Sequence, residues 1–584
     1  MFSVTFTSVL LALICFCKCR TLVNPQQSVL LNPNSQNPPT RELEVGELNF
    51  LHTTDTHGWL GSHLNQVNYD ADWGDFVSFA SHFRQNKLGS SKDLILIDTG
   101  DKHDGNGLSD ATAVNGELST KIFNEQDYDL LTLGNHELYT ENNTILEYYS
   151  TAQSDKFKSA YVSSNVEFVL ENGQTVPFGS KYRYFKTKNR NIRILALAFM
   201  FDFRRANSRA KVTPATVALQ QEWFKDVVSR YPETEIDVLV IFGHMPVTDP
   251  ETHEINQVHS ILRTHYPNSI TQYFGGHSHI RDFAIFDDKS TGLQSGRFAE
   301  TVGFLSIDNI KSGLPEFHRR YIDFSKNQFS HHSGSSLQTE KGAKLSQEIS
   351  NLREALNLND VVGYVPSTYY MYSRPISSKH NIYNLLTTKV LPNLKSDRTD
   401  ESKSRFIIIN TGSIRYDLYE GNFTKDTEYI VSPFPNDWNF VDVPLSLAEG
   451  VATYLNDGPV LLASMQPPEV RKHKHLPRKC PFRNDPELRK GYTTSDDAGC
   501  DGDDVIHNTE LVFDVPNVVQ SVELSKTSDR VHLVFYSFIQ KDVLRALNDL
   551  SKKQQSTAVY TDADCHNYGG RSTKELLKEY IKGM

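Results

Sequence analysis

From position 46 onward, apolar residues come in short runs separated by polar loops, and the spacing within the runs separates strands from helices. Leu48–Thr53, Leu94–Ile97, Leu130–Leu133, Ile192–Phe199, Val238–Phe242 and Ile270–Phe274 are short runs rich in β-branched and large apolar side chains, the pattern of buried strands. Trp73–Gln85 instead places Phe76, Phe79, Ala80 and Phe83 on one helical face. A second helix is expected between Ala215 and Tyr231, opened by Pro214 after Thr213. Strands alternating with helices predict an α/β layered domain over residues 46–325. The polar stretch around Ser330–Ser336 reads as a domain junction. Leu345, Ile349, Leu352 and Leu356 repeat at the spacing of a connecting helix, so 326–360 is expected to be linker and helix. A second mixed α/β domain then occupies 361–584, with Phe406–Ile409 and His532–Phe538 as buried strands.

Residues 20–45 form a polar leader broken by Asn32-Pro33-Asn34 and Asn37-Pro38-Pro39. Within residues 1–19, Leu10, Leu11, Leu13, Ile14 and Phe16 make a short apolar core that resembles a secretory signal peptide, although no basic residue precedes it. A short uncleaved anchor is the other reading. No later stretch reaches the roughly 18–20 apolar residues that span a bilayer. Three cysteines leave with a cleaved signal, and the expected arrangement of the rest is a Cys480–Cys500 bridge with Cys565 free. The sequons Asn142-Asn143-Thr144 and Asn422-Phe423-Thr424 suit the same route, to the vacuole lumen or the exterior.

Charge changes the picture only by exclusion. A net charge of −11 provides no basic face for a nucleic-acid polymer. A small phosphate ester stays admissible, because bound divalent cations reverse the local field. The basic run Arg471–Lys479 reads as a solvated loop.

Candidate chemistry follows the strands. Asp55-Thr56-His57, Asp98-Thr99-Gly100-Asp101, Gly134-Asn135-His136-Glu137, Gly243-His244 and Gly276-His277-Ser278-His279 each come directly after an apolar run. In α/β sheets, sites form beyond the carboxyl ends of strands, so these segments are expected on one rim. Carboxylate, imidazole and amide oxygen suit Mn, Fe, Zn or a similar divalent ion.

The ordered set Asp-x-His, Gly-Asp, Gly-Asn-His-Glu, Gly-His and Gly-His-x-His resembles the calcineurin-like metallophosphoesterases, and with the second domain it resembles their 5′-nucleotidase branch. The resemblance implies a four-layer αββα sandwich and two divalent metal ions. One would be held by Asp55, His57, Asp101 and His279, and the other by Asn135, His244 and His277, with Asp101 shared. It implies phosphate-ester hydrolysis by a metal-activated hydroxide, with His136 steadying transition-state charge or protonating the leaving group. The family usually places an Asp three residues after this histidine; here Tyr139 stands there. Asp104, His103 and Asn106 lie in the Gly-Asp loop, either supporting the ligands or as plain loop polarity.

Asn410-Thr411-Gly412-Ser413-Ile414-Arg415 resembles the nucleotidase segment whose Arg binds phosphate, which makes Asn410 and Arg415 substrate candidates. Phe434 is the candidate for stacking on a base. Gly491-Tyr492-Thr493 and Gly502-Asp503-Asp504 resemble a fungal subgroup, the acidic cluster reading as a loop or else a further cation site. The expected activity is release of phosphate from nucleoside monophosphates. The alternatives are a phosphodiesterase or phosphatase on another small ester, and a non-catalytic binding protein on the same fold.

Overall fold

The computed structural model describes residues 40–66, 68–249, 252–334, 336–399, 403–458, 490–491, 494–495, 502–505, 513–524 and 529–584. The expected signal peptide, most of the polar leader, the basic run and the Cys480–Cys500 pair lie outside the described residues.

Two sheets carry the first half of the chain. One has the strand order Glu316–Asp323, Thr301–Asp308, Leu48–Thr53, Asp93–Asp98, Leu130–Leu131. The other runs Arg281–Asp287, Ser290–Ser295, Ile270–Gly275, Val238–Phe242, Arg193–Ala198, Arg183–Lys186. Alternation within the strands dictates how these sheets stack. Phe50, Ile95, Ile97, Ile194, Ala196, Val238, Val240 and Phe274 share one core between the two sheets. Their neighbours Leu51, Leu94, Leu96, Leu195, Leu197, Leu239 and Ile241 point the other way, into a core shared with helices. Trp73–His82 covers one outer face, with Glu340–Ala355 packed beside it. Glu222–Arg230 and Glu254–His265 bury Phe224, Val258 and Leu262 in that same helix-side core. The result is the expected αββα sandwich, and burial on both faces explains why these strands read as unbroken apolar runs.

The second half has its own core around a five-stranded sheet, in the order Val518–Glu523, Arg405–Asn410, Arg530–Tyr536, Trp438–Pro444, His566–Asn567. Leu445–Asp457, Gln540–Lys553 and Thr573–Lys582 contribute Val451, Leu547 and Leu577 to it.

Three sequence expectations change. Where a junction is expected at Ser330–Ser336, a helix runs from Lys326 to Ser333, capped by Ser325 and ended by Gly334 at φ 66°. Phe329 anchors it by stacking flat on Phe79 at 4.7 Å, a contact that local polarity conceals. The expected helix 215–231 is two, Ala215–Ala218 and Glu222–Arg230. The expected strand 532–538 stops at Tyr536, and Phe538 sits in the following 3₁₀ turn.

The acidic cluster, expected as a loop or a cation site, is a buried loop. Residues 502–505 bond to the edge strand through Tyr321 N–H to Gly502 O and Asp504 N–H to Tyr321 O, both 2.9 Å. Asp503 pairs with the fully buried Arg281. Asp504 Oδ2 lies 2.8 Å from His332 Nε2. Removing one partner of a buried pair takes a compensating charge from the other, so Asp503→Ala is expected to destabilise the chain by about 3–5 kcal/mol. A denaturation midpoint equal to the parent's would show that this pair is not buried in solution.

Candidate metal centre

The seven residues expected as ligands sit on loops that follow strand ends, and at five of them the backbone is forced into an unfavourable region. Asp55, His57, Asp101, His277 and His279 have φ of 49°, 47°, 60°, 75° and 60°. For non-glycine residues such conformations cost on the order of 1–3 kcal/mol each and persist only where the surroundings over-determine them. Here the loops brace one another: Asp55 N–H donates to Gly100 O and His57 N–H to Asp101 O, both at 2.9 Å. A Cβ on Gly100, itself at φ 93°, would fall 2.1 Å from Gly134 N, so these two loops pack backbone against backbone.

This bracing gathers the polar atoms. Asp55, His57, Asp101 and His279 each bring a ligand atom within 4.8 Å of the others, and all four are buried. His57 Nε2 is 3.0 Å from His279 Nε2, and His279 Nε2 is 3.2 Å from Asp55 Oδ1. His244 Nε2 lies 2.9 Å from Asp101 Oδ2 and 3.7 Å from Asp55 Oδ1. With metal–ligand bonds of roughly 2.0–2.2 Å, neighbouring ligand atoms of a tetrahedral site are about 3.3 Å apart, so these separations suit a shared cation.

The donor chemistry agrees. His57 Nδ1 lies 2.7 Å from His103 O and His244 Nδ1 lies 2.8 Å from Thr99 O. A carbonyl can only accept, so each Nδ1 carries the proton and each Nε2 presents a lone pair to the cluster. Nε2 of His244 is buried against the carboxylates of Asp101 and Asp55. Asn135 donates its amide to Tyr139 Oη at 3.2 Å, leaving its Oδ1 buried and unpartnered. Burial, reinforced by Arg415 and His136, keeps the His57 imidazole neutral. Burial and then His244 hold the half-buried His277 down to about 3. Burial also lifts the Asp55 carboxyl to about 7, with Asp101 adding to the rise. Burial opposes ionisation of Asp101 too, but His244 and His136 keep it well below the usual carboxylate range. Against its own burial, His244 is drawn up to about 10 by Asp101 and Asp55, the response of an imidazole facing carboxylates that a cation would otherwise neutralise.

His136 stands beside this cluster, with its backbone N–H on Asp101 Oδ1 at 2.8 Å. Its Nδ1 donates to Asp104 Oδ2 at 2.6 Å. Asp104 is itself held: Asn115 Nδ2 donates to its Oδ1 at 2.5 Å, and His103 Nδ1 lies 3.0 Å from the same oxygen. Asn106 does none of this, and caps the short helix Gly107–Asp110.

A cavity of about 740 Å³ opens onto the cluster between the two halves of the chain. Asp101, Asn135, His136, His277, His279, Asn410, Arg415 and Phe434 line it, while Asp55, His57 and His244 lie fully buried behind them. Arg415 is buried, with Nη2 3.2 Å from His57 Nε2 and its guanidinium 5.4 Å from the Phe434 ring centre. Phe434 in turn faces His136 at 6.2 Å.

Comparison with known proteins places this geometry. Residues 48–281 match the calcineurin-like phosphoesterase family, and residues 368–544 match the C-terminal domain of NAD nucleotidase. An uncharacterised protein of Saccharomyces cerevisiae is 53% identical, over 95% of this chain and 96% of its own. A secreted protein of Arthroderma benhamiae is 38% identical, over 93% of this chain and 90% of its own. The crystal structure of the 5′-nucleotidase from Candida albicans superposes with a TM-score of 0.84 at 44% identity, over 94% of this chain and 100% of that one. The chain is a calcineurin-like phosphoesterase of the 5′-nucleotidase family.

As a member of that family it is a hydrolase of phosphate esters, with an Asp/His cluster able to bind divalent metal. Several features of this phosphoesterase are not evident from its sequence alone. Glu137 accepts from the N–H groups of Asp101, Lys102 and Gly134 at 3.0, 2.8 and 2.6 Å, locking two ligand loops together. Its place in Gly-Asn-His-Glu was the available signal. Arg205 and Phe538 also line the cavity, with Arg205 4.7 Å from the Phe538 ring centre. No motif marks either, because the cavity joins segments more than three hundred residues apart.

Proposed function

We propose that this phosphoesterase is a dinuclear 5′-nucleotidase that releases phosphate from nucleoside monophosphates in the secretory pathway, vacuole lumen or exterior. The reading takes 46–325 as catalytic, 326–360 as connection and 361–584 as the substrate-facing half. Asp55, His57, Asp101 and His279 would hold one divalent ion, and Asn135, His244 and His277 the other, with Asp101 common to both. Such a pair polarises phosphoryl oxygens and makes water nucleophilic at neutral pH. The observation that carries the proposal is the cavity's polarity: buried Arg415 stands beside the cluster at one wall, and the aromatic rings of Phe434 and Phe538 line the same space.

The chain's own groups then divide the work. Arg415 binds the phosphate with a guanidinium fork, and Asn410 lines the same wall. Phe434 stacks on the base. His136, its Nδ1 proton held by Asp104, presents Nε2 toward the reacting group and protonates the departing ribose oxygen. Asp104 thus does what the absent aspartate at position 139 would do. Asp104→Asn keeps the shape but loses the charge, and is expected to cut kcat by about 10–100-fold with metal content unchanged, a loss of the size seen when a supporting partner is removed. Parent-like kcat in that variant would remove Asp104 from the mechanism.

Export is supported by the relative named as a secreted protein and by the exposure of Asn142 and Asn422 in their sequons. Among the described residues, no helix is long and apolar enough to cross a membrane. The deciding experiment combines metal analysis with hydrolysis of a panel of mono- and diesters, read both as free phosphate and by chromatography of the ester products. Two metal equivalents at the Asp/His cluster and preferential release from nucleoside 5′-monophosphates support the assignment. Activity confined to diesters would replace it with a phosphodiesterase, and no turnover of a fully metallated protein would leave a binding protein.

A further inference from the structure

We propose a third divalent-cation site, sharing no residue with the catalytic cluster, formed by Glu42, His331 and His332 and backed by Asp504. Glu42 comes from the segment before the first strand, and the two histidines from the last turn of Lys326–Ser333. Each of the three brings a ligand atom within 4.8 Å of the other two. His331 Nε2 lies 2.9 Å from Glu42 Oε1, close to the ligand-to-ligand edge of about 3.3 Å expected around a small tetrahedral cation. The carbonyl end of a helix also favours positive charge, which a cation there supplies.

His332 is the observation that points to a ligand. Its side chain is fully buried, its Nε2 lies 2.8 Å from Asp504 Oδ2, and its Nδ1 is buried with no hydrogen-bond partner. A carboxylate on one ring nitrogen fixes the proton there and leaves a lone pair on the other, which is how proteins prepare an imidazole to ligate metal. Lys87 Nζ lies 3.5 Å from the other Glu42 oxygen, Oε2, so that oxygen is engaged and Oε1 remains for the site.

Two imidazoles and one carboxylate, without thiolate, fit zinc best among the common divalent ions, and the partial exposure of Glu42 and His331 leaves room for a water as fourth ligand. The expected role is a staple. Arg41 N–H donates to Asp504 O at 2.8 Å, so the leader segment, the helix end and residues 502–505 already meet here, and a cation would join all three.

The test uses the full-length protein, zinc-loaded and freed of excess metal, compared with His331→Ala and Glu42→Gln. Both changed side chains are exposed, so folding should survive. The expected result is one zinc equivalent fewer per chain in each variant, unchanged phosphate release, and a lower thermal midpoint that no longer responds to added zinc. Zinc-edge anomalous scattering from parent crystals should show a peak between Glu42, His331 and His332. Zinc content equal to the parent's in both variants, or no anomalous peak there, would overturn the site. The proposal does not depend on the nucleotidase reading, and Asp101→Asn, which perturbs the catalytic cluster, should leave this peak in place.

Discussion

Replacing His136 with alanine is expected to lower kcat toward a nucleoside monophosphate by about 10²–10⁴-fold, the range for loss of a positioned acid. KM and metal content should change little, because His136 is not among the proposed ligands and Arg415 still binds the phosphate. The dependence on leaving group discriminates the role. A ribose alkoxide is a poor leaving group and needs the proton, whereas a p-nitrophenolate leaves without it. The loss should therefore shrink toward parity for p-nitrophenyl phosphate if His136 protonates the leaving oxygen. An equal loss on both esters would assign it instead to stabilising charge on the phosphoryl group. Turnover equal to the parent's on both would exclude it from either role.

Asp101→Asn is the second large effect. Asp101 Oδ2 lies 2.9 Å from His244 Nε2 and 3.8 Å from His57 Nε2, so it is the carboxylate through which both proposed ligand sets meet. The amide preserves volume, and its oxygen can still accept from His136 N–H, so the loop should keep its course. What disappears is the negative charge. A metal centre supplies several kcal/mol of transition-state stabilisation, and each ~1.4 kcal/mol is tenfold in rate. The variant is expected to lose at least about 10³-fold in kcat/KM on that arithmetic. It should also lose metal from the catalytic cluster, while Asp104→Asn keeps it. Elemental analysis beside the rate separates the two cases: full metal content with full activity in Asp101→Asn would sink the shared-ligand assignment.

Much of this was legible because the core of an αββα sandwich imposes local patterns. Each parallel strand is buried on both faces, so Leu48–Thr53 and Val238–Phe242 announced themselves with matching boundaries. The polar residues that break those runs are the ones placed on the rim. The resemblance carried further, to Arg415 and Phe434, which lie in the same cavity as the cluster. Local reading failed where a partner came from far along the chain. Ser330–Ser336 looked like a linker because Phe329 and His332 find their companions on Phe79 and Asp504. Asp503 and Asp504 read as a loop or a cation site because their partners Arg281 and His332 are out of view in sequence.

The histidine at position 136 marks the boundary between the two kinds of information. Sequence alone determined that five strand ends would deliver carboxylates, imidazoles and an amide to one rim, since strand direction and side-chain period are local properties. Only the tertiary structure decided which carboxylate serves His136, because a hydrogen bond of 2.6 Å depends on how the Gly-Asp loop turns at Asp104, where φ is 71°. That turn is held by Asp110, which accepts from Asp104 N–H, and by Asn115, and no spacing rule relates those residues to the histidine.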